Sequence, residues 1–246
     1  MSHTNWHFNL KSILLLCFVL SIGGSDCAGK QDEKQNEAQK LPQPDFAIPP
    51  YASYLKGFKI CLDPGHGGDA HLPNYKRGPT GLREADVNLS VALYLREFLE
   101  AVGAFVFMTR TDDSFVSLGE RSQTANRNAV DFFISLHHNF SDDPTANYTS
   151  TWYHRDADDS PASLDLGRYI QQGVADALLL PQFLPTGLYS DQLLFPEGFG
   201  VLRLTRCARV LCEASFYSNP EEEAQLKDKS YNRREAYGYF LGIARY

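Results

Sequence analysis

Four residues stand where an α/β protein usually does its chemistry. His66 lies in Asp63-Pro64-Gly65-His66-Gly67-Gly68, directly after the apolar run Ile60-Cys61-Leu62. His137, with His138 beside it, ends the run Phe132-Phe133-Ile134-Ser135-Leu136. Glu213 closes Val210-Leu211-Cys212, and Glu84 stands at the start of a long stretch with helical periodicity. Two histidines and a carboxylate with a fourth position left open make a common catalytic zinc site. Such a metal acidifies water and polarises a carbonyl, and a further carboxylate can move the proton. His66, Glu84 and His137 as ligands, with Glu213 as base, fill every role. The ligands come from three separated segments, and no His-Glu-x-x-His helix locks two of them together.

Each of these residues also has a plainer explanation. His66 among three glycines suits a turn, and Glu84 near a helix start suits a surface charge favoured by the helix dipole. Glu213 is harder to dismiss, because a buried carboxylate is costly unless it is paired, hydrogen-bonded or metal-linked. Its plain alternative is an ion pair with Arg110 or Arg121, and both arginines read as structural. His71 and His154 read as surface residues. Tyr153, Phe195 and Phe199 suit a glycan or peptide groove, or simply the core.

The elements that must hold these residues follow from periodicity. Residues 58–62, 104–108, 131–136 and 209–214 read as short apolar strands. Residues 85–102 place Val87, Val91, Leu95, Phe98, Leu99 and Val102 at spacings of three and four, one apolar face of a helix. Ser117 and Glu120 have the spacing of a capping box opening a helix to Asn128. Residues 163–179 and a last stretch from about Ser230 are also helical in pattern. Asn219-Pro220-Glu221-Glu222 sets out a cap, an N1 proline and an acidic first turn. Strands alternating with helices predict a single α/β domain, with a twisted, mostly parallel sheet and helices on both faces. Ligands then bind at the C-terminal strand ends, where the four residues fall.

The chain has 246 residues, 43% of them hydrophobic and 22% charged, values of an ordinary globular protein. With 23 basic and 30 acidic residues its formal charge is -7, which argues against nucleic-acid binding, since that depends on neutralising phosphates. Lys11 precedes an apolar run over residues 13–22, followed by small residues, so residues 1–28 are expected to be an export signal. Residues 29–50, rich in Lys, Glu, Gln and Pro, are expected to be a flexible linker, and residues 51–246 the catalytic domain. The signal ends either in simple cleavage near Ser25 or in lipidation of Cys27. Of the five cysteines, Cys61, Cys207 and Cys212 lie in the expected domain. That set is no disulfide framework and no zinc knuckle, and Cys61 and Cys212 read as buried hydrophobes.

With these motifs in this order, the chain resembles the zinc-dependent N-acetylmuramoyl-L-alanine amidases of the amidase-3 type, from about Lys59 to the C-terminus. Asp63 to Gly68 is similar to the family's first ligand motif, and Gly81-Leu82-Arg83-Glu84-Ala85-Asp86-Val87-Asn88-Leu89 to its second. Thr109-Arg110 with Asp113, Leu118 to Arg121 and Ala125-Asn126 match its central signature. Ser135-Leu136-His137-His138-Asn139 resembles the third ligand motif. Val210-Leu211-Cys212-Glu213 with Ser218-Asn219-Pro220 resembles the catalytic-glutamate motif.

The resemblance implies hydrolysis of the amide between N-acetylmuramic acid and L-alanine in peptidoglycan. It assigns Zn2+ to His66, Glu84 and His137, and proton transfer from water to the leaving amine to Glu213. The export signal suits that substrate, placing the protein in the periplasm or cell envelope, with contact to the membrane only where Cys27 is lipidated. Need for a protein activator stays open. The other readings are another zinc-dependent wall amide hydrolase (a peptidase or deacetylase) and an inactive peptidoglycan-binding lipoprotein. The family usually carries a small residue where this chain has His138, whose side chain on a strand would face away from that of His137.

Overall fold

The longest apolar runs become the central strands. The computed structural model describes residues 45–155, 160–183 and 186–246. The expected export signal and residues 29–44 of the expected linker lie outside the described residues. The strands are β1 (Lys59–Pro64), β2 (Phe105–Met108), β3 (Phe132–Asn139), β4 (Ser150–Tyr153), β5 (Leu188–Ser190) and β6 (Ala208–Phe216). Among the described residues they form one sheet in the order β2-β1-β3-β6-β4-β5. β2, β1, β3 and β6 run parallel. β4 is antiparallel to β6 and pairs in parallel with β5.

The sheet is mostly parallel, as expected, with β4 against β6 the one antiparallel pairing among the described strands. A parallel neighbour needs a crossover of a dozen or more residues, usually with a helix. The connection from β3 to β4, residues 140–149, contains no helix, and the chain comes back in the opposite direction. β4 and β5 escaped sequence reading because each is only three or four residues long, and β4 begins with the polar pair Ser150-Thr151.

α1 (Glu84–Ala101), α3 (Ser160–Leu178) and α6 (Lys229–Arg245) cover one face of the sheet. α2 (Leu118–Asn128) and the short α4 (Gly200–Leu204) cover the other, over Cys61, Phe133, Trp152 and Leu211. α5 (Pro220–Leu226) follows β6. The central strands are buried almost throughout, as strands covered on both faces are. Val87, Val91, Leu95 and Leu99 of α1 enter the larger core, as the spacing predicts. α2 opens on the expected box: Ser117 Oγ accepts from Glu120 N at 3.3 Å, and Ser117 N donates to Glu120 Oε2 at 2.9 Å. Asn219 caps α5 by accepting from Glu221 N and Glu222 N.

Three details differ from expectation. His137 and His138 lie inside β3 rather than after it. α4 has five residues, too few to show a helical period. Residues 45–50 belong to the folded body rather than to a linker: Phe46 packs on Phe98 and Tyr237, and Tyr237 Oη donates to Ala47 O at 2.6 Å. Cys61 and Cys212 are buried, and burial pushes both thiols up, Cys212 to about 12. Among the described residues no helix is long and apolar enough to cross a membrane.

Candidate metal centre

β1 ends at Pro64, and the chain then turns through three consecutive residues of positive φ: His66 (60°), Gly67 (111°) and Gly68 (75°). A histidine in this region is uncommon and persists only where its surroundings hold it. Two buried arginines do so. Arg110 donates to Pro64 O (2.8 Å), Gly65 O (2.7 Å) and Ala85 O (2.8 Å). Arg121 donates to Pro64 O (2.8 Å) and His66 O (2.7 Å) and pairs with Asp63 at 2.7 Å. Burial alone would raise the Asp63 carboxyl; Arg121, Thr109 and Ser135 hold it below its usual range. Both arginines are thus structural, as expected, and neither is the partner of Glu213 proposed by the plain alternative. Gly65 has a separate reason: a Cβ there would collide with the His137 ring.

Glu84 is the first residue of α1 and 1% exposed, which rules out a surface charge. Its approach loop is tied down from below by Glu223 of α5, whose carboxylate accepts from Thr80 N and Leu82 N at 3.0 Å each. Glu84 Oε1 lies 3.0 Å from His137 Nδ1 and accepts from Asn88 Nδ2 and His138 N at 3.3 Å. Oε2 is buried and has no well-aligned hydrogen-bond donor, although His66 Nε2 is 3.1 Å away and Lys76 Nζ 3.8 Å. Burial would raise this carboxyl; His66, Lys76 and the bond from His137 outweigh it and hold it well below the usual range.

One ligand atom each from His66, Glu84 and His137 lies within 4.8 Å of the others. The two imidazole rings stand nearly perpendicular, with centroids 4.9 Å apart. Burial lowers the His137 imidazole, against the pull of Glu84, so a neutral ring with a free lone pair is favoured. Two nitrogens and an oxygen with a buried carboxylate oxygen lacking a donor fit zinc in number and type.

Glu213 of β6 is the register partner of His137 of β3, and the alternation that puts Leu211 on the α2 face carries Glu213 to that side. Its Oε2 is buried without a partner. Burial, then the charge of Glu84, push its carboxyl up to about 8, with Lys76 opposing. All four expected residues therefore converge at the C-terminal ends of β1, β3 and β6 and the N-terminus of α1.

Other expected positions fall elsewhere. His71 is exposed, as expected. His154 is not: it is 6% exposed and paired with Asp191 at 3.1 Å. Tyr153 pairs with Val210, toward the other end of β6, and Phe199 packs on Trp152 and Phe195. None of the three joins the cluster. Sequence reading missed Tyr75, whose ring meets His66 edge-on at 6.2 Å, and Lys76. Both lie in a polar loop without periodicity and carried no signal. It also missed Glu235, which had one: spaced four residues from Tyr231 and Tyr239, it sits on the buried face of α6.

Comparison with known proteins follows the same lines. The family described as N-acetylmuramoyl-L-alanine amidase matches residues 60–245. A Staphylococcus aureus protein called probable cell wall amidase LytH is 35% identical over 176 residues, 71% of this chain and 53% of that protein. The chain thus spans about half the length of the curated relatives it matches. Among solved structures, an N-acetylmuramoyl-L-alanine amidase from Clostridium difficile 630 superposes with a TM-score of 0.66 at 28% identity, over 78% of this chain and 97% of that one. The catalytic domain of CwlV, an amidase from Bacillus (Paenibacillus) polymyxa, gives 0.66 at 29% identity over 77% and 97%.

Proposed function

This chain belongs to the N-acetylmuramoyl-L-alanine amidase family, and on that premise we propose that it hydrolyses the amide joining N-acetylmuramic acid to L-alanine in peptidoglycan, with zinc held by His66, Glu84 and His137. The observation that carries this proposal is the convergence of those three residues, with a buried Glu84 oxygen that has no aligned hydrogen-bond donor, beside Glu213. Zinc bound there supplies a Lewis acid for the amide carbonyl and acidifies water.

The chain's own residues do the rest. Glu213 takes a proton from the attacking water on Oε2. As the C–N bond breaks, it returns that proton to the alanine nitrogen, leaving a lactyl carboxyl and a free amine. In the metal-free chain burial and the charge of Glu84 push the Glu213 carboxyl up to about 8; with zinc on the neighbouring ligands it would be drawn back toward the ionised form that accepts the water proton. Arg110 and Arg121 hold the backbone of the His66 loop in its strained form, so the first ligand is oriented before any ligand arrives. The Tyr75 ring stands nearly perpendicular to the His66 ring, with centroids 6.2 Å apart.

The test is mass spectrometry of muropeptides incubated with the full chain and zinc. Stem peptides beginning at L-alanine are expected with the wild type and absent with Glu213→Gln, which keeps its zinc. His66→Ala and His137→Ala are each expected to lose zinc. Cleavage within the stem peptide or at an acetyl group would overturn the choice of bond. The proposal extends to export, because peptidoglycan lies outside the cytoplasm. A tagged fatty acid that labels the wild type and not Cys27→Ala would support a lipid anchor, and equal labelling would remove it.

A further inference from the structure

We propose that His138 is a positioning residue for this centre, linking Glu235 of α6 to Asn88 of α1 and, through Asn88, fixing the Glu84 carboxylate. The proposal rests on Glu84 being a metal ligand, as argued above. His138 is 2% exposed, on the face of β3 opposite His137, between the sheet and the layer of α1 and α6. Its Nδ1 lies 2.8 Å from Asn88 Oδ1 and its Nε2 3.0 Å from Glu235 Oε2.

The direction of every bond follows from what each atom can do. Asn88 Nδ2 is 3.3 Å from both Gly65 O and Glu84 Oε1, and both of these can only accept. The amide nitrogen of Asn88 must therefore face them, which turns Oδ1 toward His138, so Nδ1–H donates. Glu235 accepts from Nε2–H. The main chain adds a second link, because His138 N–H donates to Glu84 Oε1 at 3.3 Å. One residue thus holds Glu84 by its backbone and orients it by its side chain. Asn88 lies one turn after Glu84 on α1, so a rotation of its amide would withdraw a donor from Oε1.

Stability does not account for this arrangement. Replacing a buried ion pair by apolar groups is often neutral or stabilising, and Glu235 Oε1 is left buried without a donor. A small side chain at 138 with an apolar one at 235 would avoid those costs but would remove the donor that holds Asn88 Oδ1. What the costly group supplies is direction at a ligand, the usual task of a residue standing behind a metal site.

The test is zinc affinity of the full chain, read by competition with a fluorescent chelator, without substrate. His138→Ala and Asn88→Ala are each expected to weaken zinc roughly 10–100-fold. The double variant should lose little more than either single one, because both act along one path. Glu235→Gln, which still accepts from Nε2–H, should keep affinity within about threefold, a rescue that loss of packing would not give. Tyr231→Phe removes a buried hydroxyl, one turn before Glu235 on α6, that donates to Glu222 Oε1 at 2.9 Å, and should lower the melting temperature without changing affinity. Zinc binding by His138→Ala at wild-type strength, or fully additive losses in the double variant, would overturn the proposal. Because zinc is read without substrate, a failure to release stem peptides counts against the amidase proposal alone.

Discussion

Two of the regions that bury a histidine against a carboxylate, the metal centre and the corner beside β4, differ in what they leave unsatisfied. At the ends of β1 and β3, Glu84 faces His66 and His137 with one oxygen lacking an aligned donor. Beside β4, Asp191 faces His154 with both oxygens engaged, each 3.1 Å from His154 Nδ1, and Oδ2 also accepts from Phe199 N at 2.7 Å. The Asp191 carbonyl accepts from Leu194 N and Phe195 N as well. The second pair is a closed knot that pins residues 191–199 to the end of β4. The first is open, and an open, buried, pre-oriented donor set is what a ligand can complete. Burial of a histidine–carboxylate pair therefore says little by itself; between these two regions the count of satisfied atoms marks the difference.

The sharpest way to break this contrast is at turnover. Glu213→Gln is expected to lower amide hydrolysis roughly 10²–10⁴-fold, whereas His154→Ala, measured per folded molecule, should leave it unchanged. Equal losses would mean that the two regions do not differ in kind. Next, zinc at about 100 times its dissociation constant should stabilise the wild type by about 2.7 kcal/mol in urea melts. His66→Ala should lose that increment and Asp191→Ala should retain it. Asp191→Ala itself should cost about 1–3 kcal/mol, because it strands Phe199 N–H and His154. An unchanged urea midpoint would show that the knot is not structural.

The smallest effect is a slope with pH. In the metal-free chain Glu213 is raised from 4.5 to about 8, chiefly by burial. The unfolded carboxyl ionises first, so between those values the unfolded chain binds fewer protons and Glu213 lowers stability as pH rises. Glu213→Gln lacks that proton. Wild-type stability relative to the variant should therefore decline from pH 4.5 to 8, and a flat difference would show that Glu213 is solvated.

Much of the fold was legible because the central strands and α1 bury enough apolar side chains to show a period. The caps at Ser117 and Asn219 were legible because capping is local: donor and acceptor lie within three residues. What escaped was short or nonlocal. α4 and β5 are too brief for a period, and His154 meets Asp191 across 37 residues with nothing in either neighbourhood to announce it. The four residues of the centre were picked individually from strand ends and motif order, but their plain alternatives could be settled only by burial and partners. The ion pair imagined for Glu213 failed because Arg121 is used up by Asp63 and backbone carbonyls, and Arg110 by carbonyls alone.

The alternation of strands and helices, the two capped helix starts and the identity of the residues at the strand ends are all readable in the chain alone. Those features depend on side chains a few positions apart, where chain connectivity already fixes the geometry. Packing of the layers was needed to set β4 antiparallel to β6, to bury Glu84 Oε2 without an aligned donor, and to bring His138 to Glu235 across 97 residues. Such contacts depend on how layers pack, and packing is set by the summed fit of many side chains rather than by any local spacing.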